Sequence, residues 1–285
     1  MRAVRLHGQG LDTLAVEEVE TPRPASGKAL VEVCAAAITR DELEWPQDRL
    51  PAIPSYELAG IVDGEPVYAL TPFDRDGVAA EFAAVPEHLL APKPQTLDAV
   101  ESAAVPLPAL SAWQGLFDHG ALVAGQRVLI TGAAGGVGHF ATQLARWRGA
   151  HVIGTATTAR ADGVRRLGAD EVVDSARFPE GVAPVDLVFD TVGGELLARS
   201  AAVVREGGRL VSVAEDPPAD APVDTRYFVV EPKRDQLAEI TGLIDGGHVR
   251  PAIDSVFPLA DARAAFERSM APGKAGKVVI RIADA

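Results

Sequence analysis

The sequence predicts an α/β protein in which a β-rich domain precedes a doubly wound parallel sheet. Short runs with strand character and many prolines fill the first hundred residues. Strands and helices then alternate between about 106 and 230, which is typical of a parallel sheet with helices on both faces. The third observation is the run TGAAGGVG at 131–138, which lies between a short apolar segment and a helical segment. A length of 285 residues also favours two domains over one core.

The β-rich domain is assigned to residues 1–107, and the closing segment 251–285 is expected to complete it. Asp63 and Gly64 stand between two apolar runs, which is a strong signal for a two-residue hairpin turn. Alternating or apolar runs predict strands at 29–33, 58–62, 66–70, 79–85 and 277–282 and a helix at 261–270. The last of these strands is expected to return to the first domain.

The doubly wound domain is assigned to residues 108–250. Its strands are predicted at 127–131, 151–155, 171–173, 185–190, 209–213 and 226–230, and its helices include 139–148 and 231–244. Pro232 suits the first turn of the second of these helices, and Gly246 with Gly247 suits its end.

The glycine run has the strand–turn–helix context of a Rossmann dinucleotide-binding turn. Glycines let the backbone turn tightly and let a pyrophosphate come close, and the following helix offers unbonded N–H groups and the positive end of its dipole. An ordinary turn is the simpler alternative, but the two flanks favour nucleotide binding. The residues predicted to contact the cofactor here are Thr131, Gly132, Ala134, Gly135, Gly136, Val137 and Gly138.

The end of the second strand predicts NADPH as the cofactor. NADH-binding domains place an Asp or Glu there for the ribose hydroxyls, whereas this chain has no carboxylate before Asp162. Hydroxyl groups and a guanidinium suit a 2′-phosphate better, since arginine binds phosphate oxygens in a bidentate manner. The predicted contacts are Thr155, Thr157, Thr158 and Arg160. Alternatively, Arg160 lies on a solvated helix start.

Bulk composition excludes several classes of function. The net charge of −13 and the pI of about 4.9 argue against nucleic acid or an anionic membrane as a partner. Cys34 is the single cysteine, so neither a disulfide framework within the chain nor a cysteine-rich zinc site is expected. The amino end lacks the apolar core of a signal peptide, and no apolar run is long enough to span a bilayer. We therefore expect a cytoplasmic protein.

Short-chain dehydrogenases have a similar glycine pattern. Short-chain dehydrogenases require a tyrosine with a lysine four residues later, and none of Tyr56, Tyr68 and Tyr227 has one. Their glycine turn also lies near the amino end, whereas this one follows a hundred residues of β-rich sequence. The short-chain interpretation is therefore set aside.

Read together, several segments resemble the medium-chain dehydrogenase/reductase superfamily. The matching segments are 108–116, 131–146, 167–174, 189–194, 207–211 and 273–280. The closest branch is that of the zinc-independent quinone oxidoreductases, which includes zeta-crystallin-like proteins. The resemblance implies a Rossmann domain beside a β-rich, GroES-like catalytic domain. It also implies hydride transfer from NADPH to a quinone or an α,β-unsaturated carbonyl compound.

The same resemblance implies that no metal takes part. Zinc-using members have a cysteine where this chain has Ile38 and a histidine where it has Tyr56. Zinc needs several nitrogen, sulfur or carboxylate ligands in a tetrahedral array, and the sequence offers no such set. Without a Lewis acid, reduction of a conjugated acceptor is easier than oxidation of an alcohol.

Further site residues are implied by position in the family. Tyr56 is expected to donate a hydrogen bond to a substrate oxygen, and Thr39 lies in the segment that faces the nicotinamide in relatives, where many of them have an Asn-Pro-x-Asp run that this chain lacks. Both are candidates for catalysis. The remaining expected cofactor contacts are Val192, Val213, Ala214, Phe228, Val230 and Lys274.

The expected partners are a small-molecule substrate and a second copy of the chain. The short connection at 63–66 trims the first domain, which would suit a bulky or carrier-held substrate. The strand at 226–230 could pair with its twin in a homodimer. Two alternatives stay open: a non-catalytic NADPH-binding protein of crystallin-like or regulatory type, and a ketone reductase.

Overall fold

The computed structural model describes residues 1–45 and 48–283, and the chain divides into two compact units. The first unit contains Met1–Leu107, Glu231–Gly247 and the residues from Pro251 onward. The second unit contains Pro108–Val230 and His248–Arg250. The segment Glu231–Gly247 therefore packs with the β-rich unit, whereas the sequence prediction placed it with the doubly wound domain.

The described chain contains fifteen strands and seven α-helices. The strands are β1 (Arg2–Leu6), β2 (Leu14–Glu18), β3 (Lys28–Ile38), β4 (Glu57–Val62), β5 (Glu65–Leu70), β6 (Phe82–Pro86), β7 (Ala91–Pro92), β8 (Arg127–Ile130), β9 (His151–Ala156), β10 (Glu171–Asp174), β11 (Val185–Asp190), β12 (Val204–Ser212), β13 (Asp224–Tyr227), β14 (Ile253–Pro258) and β15 (Lys277–Arg281). The α-helices are α1 (Ala99–Ala103), α2 (Pro106–Trp113), α3 (Gly138–Trp147), α4 (Ala161–Arg166), α5 (Gly194–Ser200), α6 (Arg234–Asp245) and α7 (Ala262–Met270). No described helix combines the length and the apolar character needed to cross a membrane.

The second unit is built on one parallel sheet of six strands in the order β10-β9-β8-β11-β12-β13. The chain order reverses between β8 and β11, which is the switch point where open α/β sheets bind ligands. Both strands are short and strongly apolar because parallel strands are covered on both faces. Leu129, Ile153, Val188 and Leu210 meet in one buried cluster of this unit.

The first unit contains a sheet in the order β14-β15-β3-β4-β5-β7, with β6 also paired to β3 and with β1 and β2 forming a separate pair. The predicted return of the closing strand is confirmed, since β15 pairs antiparallel with β3. The predicted hairpin is confirmed as well. Asp63 and Gly64 have φ values of 51° and 86°, which a type I′ turn requires at its two central positions.

Gly60 shows how closely the strands of this unit approach each other. It lies in β4 opposite Val33 of β3. A Cβ atom at this position would lie 2.3 Å from the carbonyl oxygen of Glu32. No side chain can be accepted there without moving the backbone, so the glycine is required by packing.

Several predicted elements are corrected by the structure. Strand β3 covers Lys28–Ile38 rather than 29–33, and β12 covers Val204–Ser212 rather than 209–213. The edge strand β13 covers Asp224–Tyr227 rather than 226–230, because the chain leaves the sheet after Phe228 donates its N–H to the carbonyl of Ser212. The apolar pattern of the predicted strand instead reflects packing, since Phe228 and Val230 are both buried. Helix α6 starts at Arg234, and Pro232 precedes it, because Lys233 has extended backbone. Gly246 ends this helix as predicted.

Candidate functional site

The glycine turn joins β8 to α3 at the carboxyl edge of the parallel sheet. Gly132 has a φ of 62°, which starts the turn. Its N–H donates to the hydroxyl of Thr155 at 3.0 Å, and the N–H of Ala133 donates to the carbonyl of the same residue at 3.0 Å. Thr155 is fully buried, so this predicted cofactor contact holds the turn from inside the protein.

Four N–H groups of the turn have no acceptor within the described chain: those of Ala134, Gly136, Val137 and Gly138. The intervening N–H of Gly135 donates to the carbonyl of Gly132 at 2.8 Å. Unbonded amides at the start of a helix form a site for an anion, because they supply donors and the positive end of the helix dipole together.

Close packing explains the glycine at the start of α3. A Cβ on Gly138 would lie 2.1 Å from the carbonyl oxygen of Gly132. Any side chain there would force the turn apart. The residues of the turn thus fit a dinucleotide, with the amides of the turn for the diphosphate.

The carboxylate of Asp190 ties three strand ends together beneath this turn. Its Oδ1 accepts the hydroxyl of Thr131 at 2.6 Å, and its Oδ2 accepts the N–H of Gly193 at 3.0 Å and the hydroxyl of Ser212 at 2.9 Å. Asp190, Thr131 and Ser212 are fully buried. These bonds connect the ends of β8, β11 and β12, so Thr131 contributes to the site by fixing its frame.

The segment after β9 contains the residues predicted for the 2′-phosphate. Thr157 and Thr158 are exposed, and Arg160 is half-buried at the end of a short 3₁₀ turn. The hydroxyl of Thr158 donates to Asp174 at the end of β10 at 2.6 Å. This bond, together with one from the N–H of Ala176, holds the pKa of the Asp174 carboxyl below its ordinary value.

The other predicted cofactor residues of the second unit follow β11, β12 and β13. Val192 is 49% exposed, which suits a ligand contact. The N–H of Val213 donates to the carbonyl of Asp190, and that of Ala214 donates to the hydroxyl of Ser212. The ring of Phe228 packs on His119, so a contact of Phe228 with a cofactor would involve its backbone. Val230 is buried.

In the first unit, Tyr56 lies in an aromatic cluster. Its ring contacts Trp45 and Phe73, with ring centroids 5.6 and 5.3 Å away. Its hydroxyl accepts a hydrogen bond from Arg49 at 3.2 Å, and burial raises its pKa. The phenol is therefore protonated at neutral pH and held in place. Its role as a donor to substrate stays a prediction.

A buried carboxyl lies next to Thr39, the second catalytic candidate. Glu42 accepts the N–H of Thr39 at 3.0 Å and the hydroxyl of Ser55 at 3.1 Å. Burial raises the pKa of Glu42 to about 8, and the nearby carboxylate of Glu57 adds to this effect. Glu42 is therefore largely protonated at neutral pH.

Lys277 connects this region to a second buried carboxylate. Its ammonium forms an ion pair with Glu57 and donates to the hydroxyl of Thr39 at 3.2 Å. Glu57 also accepts the N–H of Leu107 at 3.0 Å. Two buried carboxyl groups thus share one ammonium, and charge balance is reached when Glu42 keeps its proton.

Lys274 lies between α7 and β15 in the first unit. Its ammonium donates to the carbonyl of Ser269 at 2.6 Å. Burial, with the charge of Lys277 nearby, lowers the pKa of Lys274 to about 8. Its predicted contact with a cofactor phosphate stays a prediction.

The residues of the first unit do not fit the zinc site of zinc-using relatives. Ile38 offers no donor atom, and the Tyr56 phenol is protonated. Burial raises the pKa of the Cys34 thiol, which disfavours the thiolate that zinc needs. Within residues 1–45 and 48–283, no group of three or more His, Cys, Asp or Glu side chains could hold a metal.

Sequence reasoning missed Asp190, Glu42 and Glu57. Several of their partners lie far along the chain. Ser55 is 13 residues from Glu42, Thr131 is 59 residues from Asp190, and Lys277 lies near the opposite end of the chain from Glu57, so no local pattern reveals these pairs. The available signal was a charged residue within an otherwise apolar run, as Asp190 is at the end of VDLVFD. Such a residue is expected to be paired inside the protein.

We expect Asp190→Asn to lower both stability and dinucleotide affinity. An amide offers one acceptor oxygen instead of two, so at least one of the three donors loses its partner, at a cost of about 1–3 kcal/mol for each. Denaturant unfolding and calorimetry with the dinucleotide measure the two effects. The control is Asp245→Asn, because Asp245 also accepts two N–H groups and a hydroxyl but is exposed. Equal effects of the two variants would contradict the role of Asp190.

We also expect stability to fall as the pH rises through the titration of Glu42. Its pKa is raised from 4.5 to about 8, so the folded state keeps a proton that the unfolded chain releases between these values. Its stabilising contribution is therefore full below 4.5 and is lost as the pH approaches 8. The loss is on the order of a few kcal/mol, at about 1.4 kcal/mol per pKa unit.

Glu42→Gln should remove this fall, because the amide stays neutral at every pH. Unfolding free energies at about pH 5 and about pH 9 provide the measurement. Glu44→Gln, on the exposed side of the same turn, should keep the wild-type dependence. A Glu42→Gln protein with the same pH dependence as wild type would show that Glu42 is ionised in the folded state.

Comparison with known proteins extends over both units. The family model described as zinc-binding dehydrogenase matches residues 167–280. A probable zinc-binding mitochondrial oxidoreductase of Arthroderma benhamiae is 33% identical over 95% of this chain and 93% of its own length. An NADPH-dependent alkenal/one oxidoreductase of Arabidopsis thaliana chloroplasts is 32% identical over 95% of this chain and 76% of its own length.

Solved structures have the same fold. The quinone oxidoreductase of Thermus thermophilus, whose structure was also determined in complex with NADPH, superposes with a TM-score of 0.86. It is 30% identical in sequence, and the match covers 99% of this chain and 100% of that one. The parallel sheet with its glycine turn and the β-rich first unit are the features expected of this fold. The chain therefore belongs to the medium-chain dehydrogenase/reductase superfamily, in its quinone oxidoreductase branch, and is an oxidoreductase.

Proposed function

We propose that this protein is an NADPH-dependent reductase that transfers hydride to a quinone or an α,β-unsaturated carbonyl compound without a metal ion. The observation that carries the proposal is the set of four unbonded N–H groups between Ala134 and Gly138. The names of its relatives, which are quinone and alkenal/one oxidoreductases, support the substrate class.

Bound NADPH would supply the hydride, and the residues of the chain would bind and orient the cofactor and the acceptor. The amides of Ala134, Gly136, Val137 and Gly138 would hold the diphosphate, while Asp190 keeps the strand ends beneath them in register. The donor set of the first unit does not suit zinc, so hydrogen bonds must stabilise the negative charge that develops on the acceptor. Conjugation spreads this charge in a quinone or an enone, which lowers the demand on the protein.

The cofactor preference rests on the segment after β9. Thr157 and Thr158 are exposed there, and no carboxylate ends the strand itself. Asp174 contacts Thr158 and works against binding of a phosphate, so the guanidinium of Arg160 must outweigh it.

We expect Arg160→Ala to weaken NADPH binding by roughly 10- to 100-fold and to change NADH binding little, because only NADPH has the 2′-phosphate. Asp174→Asn should have the opposite effect and favour NADPH. Fluorescence titration of both cofactors measures the dissociation constants. Arg199→Ala, in α5 and paired with Glu195, is the matched control for loss of a surface guanidinium. Tighter binding of NADH than NADPH by the wild type would overturn the cofactor assignment.

Single-turnover oxidation of bound NADPH tests the reaction. Mixing the NADPH complex with a panel of quinones, enones and simple ketones should give rapid loss of NADPH absorbance with the first two classes. No oxidation by any acceptor, with tight NADPH binding intact, would favour the non-catalytic binding protein. Formation of secondary alcohols from the ketones would instead identify a ketone reductase.

Three further assignments belong to the same proposal. The two-residue turn between β4 and β5 supports a substrate that is bulky or carrier-held, which a comparison of kcat/KM for free and carrier-bound enones would test. The edge position of β13, with Tyr227 and Val229 exposed nearby, supports a homodimer, which light scattering would detect. A cytoplasmic location is proposed from the sequence alone and would be tested by fractionation.

A further inference from the structure

The hydroxyl of Thr39 acts as a hydrogen-bond acceptor but not as a donor within the described chain. It accepts a hydrogen bond from the ammonium of Lys277 at 3.2 Å. An ammonium can only donate, so Thr39 must direct its own proton elsewhere. Within the described chain that proton has no acceptor, and Thr39 is half-buried at the end of β3. The Thr39 hydroxyl can therefore donate its own proton to a group outside the described chain.

The ammonium of Lys277 is fixed next to Thr39 by an ion pair with Glu57. Its side chain is 7% exposed and forms an ion pair with Glu57, whose side chain is 1% exposed. Glu57 is fixed in turn by the N–H of Leu107. The ammonium therefore cannot swing away from Thr39 without leaving a buried carboxylate unpaired, which is strongly unfavourable.

The charge of Lys277 also makes Thr39 a better donor. A hydroxyl that accepts a hydrogen bond from a cation is polarised, so its own O–H bond is more acidic and donates more strongly. The backbone N–H of Thr39 donates to the carboxyl of Glu42, which fixes the backbone of Thr39. Among the described residues, Lys277 and Glu42 are the charged or titratable groups that bond to Thr39, and Lys277 provides the polarising charge.

We propose that Lys277 is a positioning residue that, together with Glu57, orients and polarises the hydroxyl of Thr39 toward the acceptor oxygen that gains negative charge during reduction. This inference rests on the proposed function. The hydride forms the new C–H bond, NADPH is oxidised to NADP⁺, and the displaced π electrons move to the acceptor oxygen. Thr39 donates a hydrogen bond to that oxygen and keeps its proton, and water supplies the proton that completes the product.

Thr39→Val is the first test, because valine has the shape of threonine without the hydroxyl. We expect kcat to fall roughly 10- to 100-fold, as after loss of a donor to a developing oxyanion, with NADPH affinity unchanged. Thr39→Ser restores the hydroxyl and should keep kcat within about threefold of wild type. A Thr39→Val enzyme with wild-type kcat would overturn the inference.

Lys277 requires a paired variant. Lys277→Met alone leaves Glu57 buried without its counter-ion and could unfold the unit, so Lys277→Met is combined with Glu57→Gln. The double variant should fold, bind NADPH like wild type and show a lower kcat. In its background Thr39→Val should cost several-fold less than in wild type, because the hydroxyl is no longer polarised. A purely structural ion pair would give the same Thr39→Val effect in both backgrounds, which would refute the role of Lys277.

The wild type is measured first with the same quinones and enones. If it oxidises NADPH with none of them, the proposed function fails and this inference with it. If the wild type is active and the Thr39 and Lys277 variants behave independently, only the inference fails. The two failures are therefore distinct.

Discussion

The buried carboxylate of Asp190 is the constraint on which the candidate cofactor site depends. It lies at the end of β11 without exposure to solvent, and its two oxygens accept from residues that follow β8, β11 and β12. Each of those donors would be costly to bury unpaired. One side chain therefore fixes the relative positions of three strand ends at the edge of the sheet where the glycine turn begins.

With the frame fixed in this way, the turn can leave some of its own amides unsatisfied. Thr155 and the carbonyl of Gly132 take the N–H groups that point inward. Those of Ala134, Gly136, Val137 and Gly138 remain for a ligand. In the first unit, burial keeps Glu42 protonated and therefore neutral at neutral pH. The ammonium of Lys277 is then balanced by the carboxylate of Glu57. In each unit a buried side chain fixes a neighbouring donor. Asp190 fixes the frame of the turn that carries the unbonded amides, and Lys277 bonds the hydroxyl of Thr39.

Local signals in the sequence were sufficient for the framework. The glycine turn, the Asp63-Gly64 hairpin and the apolar parallel strands depend on neighbouring residues, and all are found in the structure. Side-chain networks could not be predicted, because Asp190, Glu42 and Glu57 bind partners distant in sequence. The strand predicted at 226–230 extends too far, because Phe228 is apolar for packing against His119 and not for pairing in the sheet.

The same limit applies to the individual site residues. Thr131 was predicted as a cofactor contact from the glycine motif, and Thr155 from the end of the second strand. In the structure both hydroxyls are bonded within the protein and shape the turn. Thr39 was predicted from resemblance alone, and only the three-dimensional structure shows that Lys277 bonds its hydroxyl from one side. Position in a motif thus identified the region, and the hydrogen-bond partners define what each side chain does there.

The most direct measurement is the amide ¹⁵N–¹H spectrum of the deuterated protein during titration with NADPH. The account predicts that the resonances of Ala134, Gly136, Val137 and Gly138 shift strongly and become protected from exchange. The amides of Gly135 and His139, which already donate to backbone carbonyls, should change less. Saturating NADPH that leaves the four unbonded amides unshifted would contradict the central claim that they bind the diphosphate of the cofactor.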